Sequence, residues 1–318
     1  DSPWESRAPP ATKGLFLFAP IHQTFRPPRF APRGSLRMKG MQMVKLIFVD
    51  MDGTFLLPDK TISDENLRIL DQAYELGVQF VPCTGRNVSG LPKQLIEHPC
   101  VKYAVCCNGA LVCDAKSGEV IHEVDLDDVL VHELWSELRD LPVSFDVFAD
   151  STVYTTDDRW HFLDEIPVSE PTRSAIKQMR TRSSISVDEL LEKCGPVCRV
   201  NVFYLDEESK HKVWEIVDAN PKLTRASSLP CNIEITRFDA NKGAGLKWLC
   251  RRLGIKTRET VAFGDASNDV SMLQAAGDGV AMGNALPEAF VAADHVTASN
   301  SESGVARYLE PIFVQGVR

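Results

Sequence analysis

The 318-residue sequence predicts an α/β fold: a parallel-sheet core made from two separated stretches of chain, with an α+β module inserted between them. Three observations carry this. An apolar run, Val44 to Val49, ends on Asp50 and reads as a strand buried on both faces. Helical and strand periods alternate over 43–124 and again over 234–318, the pattern of parallel βαβ units. Over 125–233 that rhythm breaks into short alternating segments and helices, which marks a separate unit.

The elements follow in order. Residues 1–42 hold seven prolines, scattered arginines and no helical or strand period, so they are expected to be a disordered leader outside the fold. Met38, Met41 and Met43 each suit a natural start, and an Arg-rich, acid-poor leader leaves organellar targeting as the alternative to a cytoplasmic location. After the strand ending at Asp50, a helix is predicted over 63–76, with Ser63 as N-cap, Leu67, Leu70, Ala73 and Tyr74 inward, and Gly77 as the stop. Strand 78–82, a turn at Thr84-Gly85-Arg86, a short helix to about Glu97 and strand 103–107 lead into Asn108-Gly109. The inserted unit reads as helix 127–139, short segments over 143–155, a polar stretch to about 186, strand 198–205, helix 207–218 and strand 231–237. The βα rhythm then resumes with helix 242–253, which turns Leu246, Leu249, Cys250 and Leu253 inward and is capped by Gly254. Strand 260–263 and helix 268–276, closed by Gly277, come next. Ligands of parallel α/β sheets sit at the carboxyl ends of strands, where Asp50, Thr84 and Asn108 fall.

Composition narrows the partners. The net charge of −9 divides into +6 over residues 1–45 and −15 over the rest, an acidic body that repels nucleic acid and anionic lipid. No apolar run approaches the ~20 residues of a membrane-spanning helix. Nucleic acid and membrane are therefore not expected partners, any phosphate ligand would have to be held by local cations, and the chain is expected to be a monomer or weak homo-oligomer. The nine cysteines lack the paired spacings of a secreted framework or a zinc site, and they read as reduced thiols. Arg173, Lys177, Arg180 and Arg182 form a basic run expected to be a solvated face, and His132, His161 and His211 lie apart with no ligand spacing.

Four short stretches carry chemistry. Asp50-Met51-Asp52-Gly53-Thr54 places two carboxylates where a buried strand becomes a loop, and such a pair is most easily held ionised by a hard divalent cation such as Mg²⁺. Gly264-Asp265-Ala266-Ser267-Asn268-Asp269 repeats the arrangement at a second strand end. One residue there suffices to cap a helix, so Asp265 is free to complete a cation site begun by Asp50. Thr84-Gly85-Arg86 offers a hydroxyl, an amide and a guanidinium. Lys242 opens a helix, where its charge opposes the macrodipole unless an anion lies beside it.

In order and spacing these stretches resemble the haloacid dehalogenase superfamily of phosphotransferases, over nearly all of 43–318. The likeness is nearest to its Cof-like branch, through Cys107-Asn108-Gly109-Ala110, Asn241-Lys242-Gly243-Ala244-Gly245-Leu246 and Gly279-Val280-Ala281-Met282-Gly283-Asn284-Ala285. Phe55 and Cys83 depart from the pattern, and Cys83 is near enough to the site to raise the question of a reactive thiol. The resemblance implies a Rossmann-like core, 43–124 plus 234–318, with 125–233 as an inserted cap domain that selects substrate. It implies a Mg²⁺-dependent phosphatase of small phosphorylated metabolites, sugar phosphates or nucleotide-like monoesters. Asp50 would be the nucleophile that becomes an aspartyl-phosphate, and Asp52 the acid and base. Thr84 and Lys242 would hold phosphoryl oxygens. The metal would sit on Asp50, the Asp52 carbonyl and Asp265, with Asn268 and Asp269 in support and Asp269 steadying Lys242. Gly85, Arg86 and Asn108 are the expected substrate contacts. A phosphomutase on the same scaffold and a non-catalytic phospho-acceptor switch are the alternatives.

Overall fold

The computed structural model describes residues 44–149, 152–227 and 229–316. The expected leader, 1–42, lies outside them. In chain order the strands are β1 (Leu46–Asp50), β2 (Gln79–Cys83), β3 (Tyr103–Cys106), β4 (Leu111–Asp114), β5 (Val120–Glu123), β6 (Asp146–Ala149) and β7 (Thr152–Thr156). They continue with β8 (Thr181–Ser183), β9 (Val197–Phe203), β10 (Leu223–Ala226), β11 (Asn232–Arg237), β12 (Thr260–Gly264), β13 (Asp278–Ala281) and β14 (His295–Val296).

Eight strands form one sheet in the order β14-β13-β12-β1-β2-β3-β4-β5. The six from β14 to β3 are parallel, and β4 and β5 add an antiparallel edge that βα periodicity did not signal, because each is only four residues long. Every residue of β1 is buried. Ile47 and Val49 join a cluster with Ile69, Leu70 and Ala73 of the helix Asp64–Glu75 and with Val305 and Leu309 of the helix Gly304–Gly316. Leu46 and Phe48 point the other way, onto Leu246, Leu249 and Cys250 of the helix Lys242–Leu253. A strand covered on both faces has to be apolar throughout, as this one is up to Asp50.

Two helical details differ from expectation. Ser63 caps the helix Asp64–Glu75 by accepting from Asn66 N. Its inward face, however, is Asn66, Ile69, Leu70 and Ala73, while Tyr74 is 57% exposed. The i, i+3, i+4, i+7 register starts one residue earlier than Leu67, because Asn66 is buried as a hydrogen-bond hub that donates to Phe55 O. Gly254 takes the left-handed cap as expected, at φ 67°. Gly277 does not: the preceding helix is Val270–Ala275, and a Cβ at 277 would lie 2.5 Å from Arg258 Cα, so this glycine serves close packing.

The inserted cap carries the second sheet, in the order β10-β11-β9-β6-β7-β8, antiparallel apart from β7–β8. Val147, Val200, Val202, Ile233 and Ile235 pack with Leu134, Leu190 and Val213 of covering helices, in a cluster that runs from Leu126 to Ile235. The polar stretch before 186 contains the helix Glu170–Gln178 and β8. Within it, Arg173, Lys177, Arg180 and Arg182 pair with Glu170, Asp164, Asp146 and Asp157. Arg180 is buried against Asp146 at 2.7 Å rather than solvated, because Asp146 occupies an interior strand position and needs a counter-charge.

Candidate active site

The sheet order places β1 between β2 and β12, so the residues closing these strands converge: Asp50, Thr84 and Asp265. Lys242 arrives from the start of its helix, which Asn241 caps by accepting from Ala244 N at 2.9 Å. The loop Cys107–Gly109 lies so close to that helix start that a Cβ on Gly109 would fall 2.1 Å from Asn241 O.

At the centre, Lys242 is fully buried and its Nζ donates to Asp50 Oδ1 at 2.5 Å and Asp269 Oδ1 at 2.6 Å. Asp269 spends its other oxygen on the backbone amides of Asp265 and Ala266, each at 3.0 Å. Thr54 Oγ1 donates to Asp265 Oδ1 at 2.9 Å. Gly53, at φ 85°, lets the chain pass beside Asp265, whose Oδ2 would be 2.3 Å from any Cβ there. Burial works against the Lys242 ammonium, but Asp269 and Asp50 outweigh it and raise its pKa, so it stays charged. Burial pushes the Asp50 carboxyl well above the carboxylate range, with Lys242 pulling it back only in part. Burial, then Asp269, takes Asp265 to about 6.

Asp50, Asp265 and Asp269 each offer an oxygen within 4.8 Å of the others. Were all three carboxylates ionised, one ammonium would leave two negative charges uncompensated, so the site favours a divalent cation over protons on Asp50 and Asp265. Because Asp269 is occupied by Lys242 and two amides, Asp50 and Asp265 are the side chains best placed to hold one.

Asp52 is set apart from that group. Arg86 grips it through Nε at 2.9 Å and Nη2 at 2.6 Å, and Lys60 adds a bond of 2.6 Å. Burial alone would raise its pKa, yet these cations hold it below the usual range. Arg86 is therefore engaged by a carboxylate and by Gly90 O. Asn108, at φ 55°, donates its backbone N–H to Thr84 O and its Nδ2 to Glu234 Oε2 at 2.8 Å, and accepts from Asn268 Nδ2 at 3.1 Å. Arg86 N donates to Thr84 Oγ1 at 3.1 Å, and Gly85 lies against Asn108 and Glu234. The sequence residues thus gather at one place. Cys83, fully buried, has its thiol pushed far up by burial and is not a reactive nucleophile.

Lys60, Thr54, Arg199 and Glu234 were not singled out in the sequence. Lys60 sits on a narrow loop closed by Leu57 N donating to Thr61 O, and nothing local marks it. Arg199 and Glu234 did leave a signal. Each is a charge flanked on both sides by apolar strand residues, in Cys198-Arg199-Val200 and Ile233-Glu234-Ile235, where a buried ion needs a partner.

The chain is similar to known proteins over most of its length. The family model of haloacid dehalogenase-like hydrolases matches residues 47–309. Phosphatase YwpJ of Bacillus subtilis is 33% identical over 284 residues, covering 84% of this chain and 99% of its own. The 5-amino-6-(5-phospho-D-ribitylamino)uracil phosphatase YcsE of the same organism is 28% identical over 264 residues, 83% and 94% of the two chains. A solved haloacid dehalogenase-like hydrolase from B. subtilis superposes with a TM-score of 0.70 at 32% identity, over 84% of this chain and 99% of its own. With the strand-end carboxylates, the buried lysine and the cap in place, the chain belongs to the haloacid dehalogenase-like hydrolases and is a phosphatase of that family.

Proposed function

We propose that this phosphatase is Mg²⁺-dependent and releases phosphate from small phosphorylated metabolites, sugar phosphates or nucleotide-like monoesters, through an aspartyl-phosphate on Asp50. The observation that carries the reading is the buried Lys242 shared by Asp50 and Asp269, with Asp265 alongside, a set of three carboxylates facing one ammonium. A carboxylate attacks a phosphate dianion only where their repulsion is cancelled. Mg²⁺ on Asp50, the Asp52 carbonyl and Asp265 would neutralise that charge and keep Asp50 ionised. The chain's own residues do the rest. Lys242 and the Thr84 hydroxyl hold phosphoryl oxygens, Asn268 and Asp269 support the acidic loop, and Gly85 and Asn108 line the place the substrate takes.

Asp52 protonates the leaving oxygen and then takes a proton from water, so substrate must draw Arg86 and Lys60 away from it. A substrate phosphate is the natural competitor for Arg86, which gives that residue its place in binding. The inserted unit, expected over 125–233, acts as a cap over the core; its last strand, β11, runs on to Arg237, four residues past the expected boundary, so the second core stretch starts after that strand rather than at 234. The phosphorylated ribityl chain in the name of YcsE fits the proposed substrate class.

The test is a panel of phosphorylated metabolites assayed for free phosphate with Mg²⁺ and with chelator. Turnover is expected only with the metal, and Asp50→Asn should lower kcat by at least ~10³-fold. Unchanged turnover by purified Asp50→Asn would overturn the mechanism, and isomerised sugar phosphate in place of free phosphate would identify a mutase.

A further inference from the structure

The second sheet reaches into the phosphate-holding loop through one buried ion pair that the phosphatase reading does not use. Arg199, on β9, is 4% exposed and stacks on the Phe148 ring at 3.8 Å. Its Nη1 donates both to Glu234 Oε2, on β11, at 3.1 Å and to the backbone oxygen of Gly85. Glu234 Oε2 also accepts from Asn108 Nδ2 at 2.8 Å. One guanidinium nitrogen and one carboxylate oxygen therefore join the cap sheet to two loops that close strands of the core sheet.

We infer that Arg199 and Glu234 are positioning residues that set the donors for the phosphoryl group, a reading that rests on the role proposed for Thr84. The argument runs through one peptide plane. Gly85 O and Arg86 N–H belong to the same trans peptide and point in opposite directions. Holding Gly85 O toward Arg199 aims Arg86 N–H at Thr84 Oγ1, which accepts it at 3.1 Å. With its lone pair engaged, the Thr84 hydroxyl turns its own proton outward, free to meet a phosphoryl oxygen. Glu234 does the same for Asn108. An acceptor at Nδ2 and the Asn268 donor at Oδ1 leave that amide one orientation. A lysine at 199 keeps the charge opposite Glu234 but lacks the planar fork that serves two acceptors at once. Loss of the Arg199 contact thus disorders the Thr84 donor while leaving Asp50, Lys242 and Asp265 in place.

A double-mutant cycle on the full chain tests this, with p-nitrophenyl phosphate as probe and kcat and KM measured separately. Arg199→Lys is expected to lower kcat/KM by ~10-fold or more, a loss typical of a misplaced donor. In a Thr84→Val background the same change should cost less than about 3-fold, since the hydroxyl it acts through is gone. Multiplicative losses in the double variant, or an unaffected Arg199→Lys, would overturn the inference, because a purely structural role is independent of Thr84. Should Arg199→Lys fail to fold, Glu234→Gln carries a parallel cycle against Asn108→Ala, the side chain it acts through, with non-multiplicative losses expected and multiplicative ones overturning the inference. Turnover by the wild type and its loss in Asp50→Asn report separately on the phosphatase mechanism, so the two readings fail independently.

Discussion

At the strand ends of the core sheet Asp50 and Asp269 share a single buried lysine with a third carboxylate, Asp265, alongside, whereas in the cap sheet Asp146 is paired with Arg180 and Glu234 with Arg199. The first arrangement is unbalanced. Asp50 and Asp265 both have raised pKa values there, the condition of a site waiting for a cation and a reacting group. The second is balanced, and a satisfied pair holds a sheet in register without offering chemistry. The contrast supports the proposal that bond-making belongs to the core, and placement and selection to the cap.

Removing a balancing charge should have the largest effect. Asp146 is fully buried and bound to Arg180, Asn201 and Thr155, so Asp146→Ala strands a buried guanidinium. The cost should be about 3–5 kcal/mol of stability, read from denaturant unfolding, with kcat of the folded fraction changed little. A mild loss would mean that the cap's charges are no better paired than the core's.

Lys242→Ala attacks the unbalanced region, and kcat/KM is expected to fall by ~10²–10³-fold for every substrate alike. Change in the cap should act differently. Phe148 lines a cavity of about 100 Å³ with Asn87, Leu111, Thr152 and Cys198, which joins residues of both sheets. Phe148→Leu should reorder substrates by ~10–200-fold, the scale of pocket discrimination. Uniform losses across a panel would make the cap a mere lid.

The smallest effect concerns pH. Asp265 has a folded-state pKa of about 6 without metal, above its unfolded value, so the folded chain binds the extra proton and loses that contribution to stability as pH rises through about 6. In the proposed site Mg²⁺ would compete with the proton for the same oxygens. The stabilisation given by a fixed Mg²⁺ concentration, read as a rise in Tm, should therefore grow between pH 5 and 7, reaching roughly 1–2 kcal/mol at about tenfold excess over Kd. A pH-independent rise would take Asp265 out of the cation site.

Much of the core was legible because its constraints are local. A strand buried on both faces must be apolar, and carboxylates at its end are conspicuous, so Asp50, Asp265 and Lys242 stand out in the sequence itself. The antiparallel edge β4–β5 and the helix Glu170–Gln178 were hidden, the first because four-residue strands carry little period, the second because an exposed helix held by ion pairs reads as a polar run. The grip of Arg86 and Lys60 on Asp52, and of Arg199 on Gly85, depends on contacts between residues from 8 to 114 positions apart, which no local pattern encodes.

The most direct test of the central claim is to find where the phosphoryl group rests. Enzyme in excess over a ³²P-labelled phosphomonoester, with Mg²⁺, is quenched in acid within one turnover and digested. The account predicts label on the peptide that contains Asp50, decaying as free phosphate appears and absent from Asp50→Asn. Phosphate release with no protein-bound label at any time, or label retained by Asp50→Asn, would contradict it.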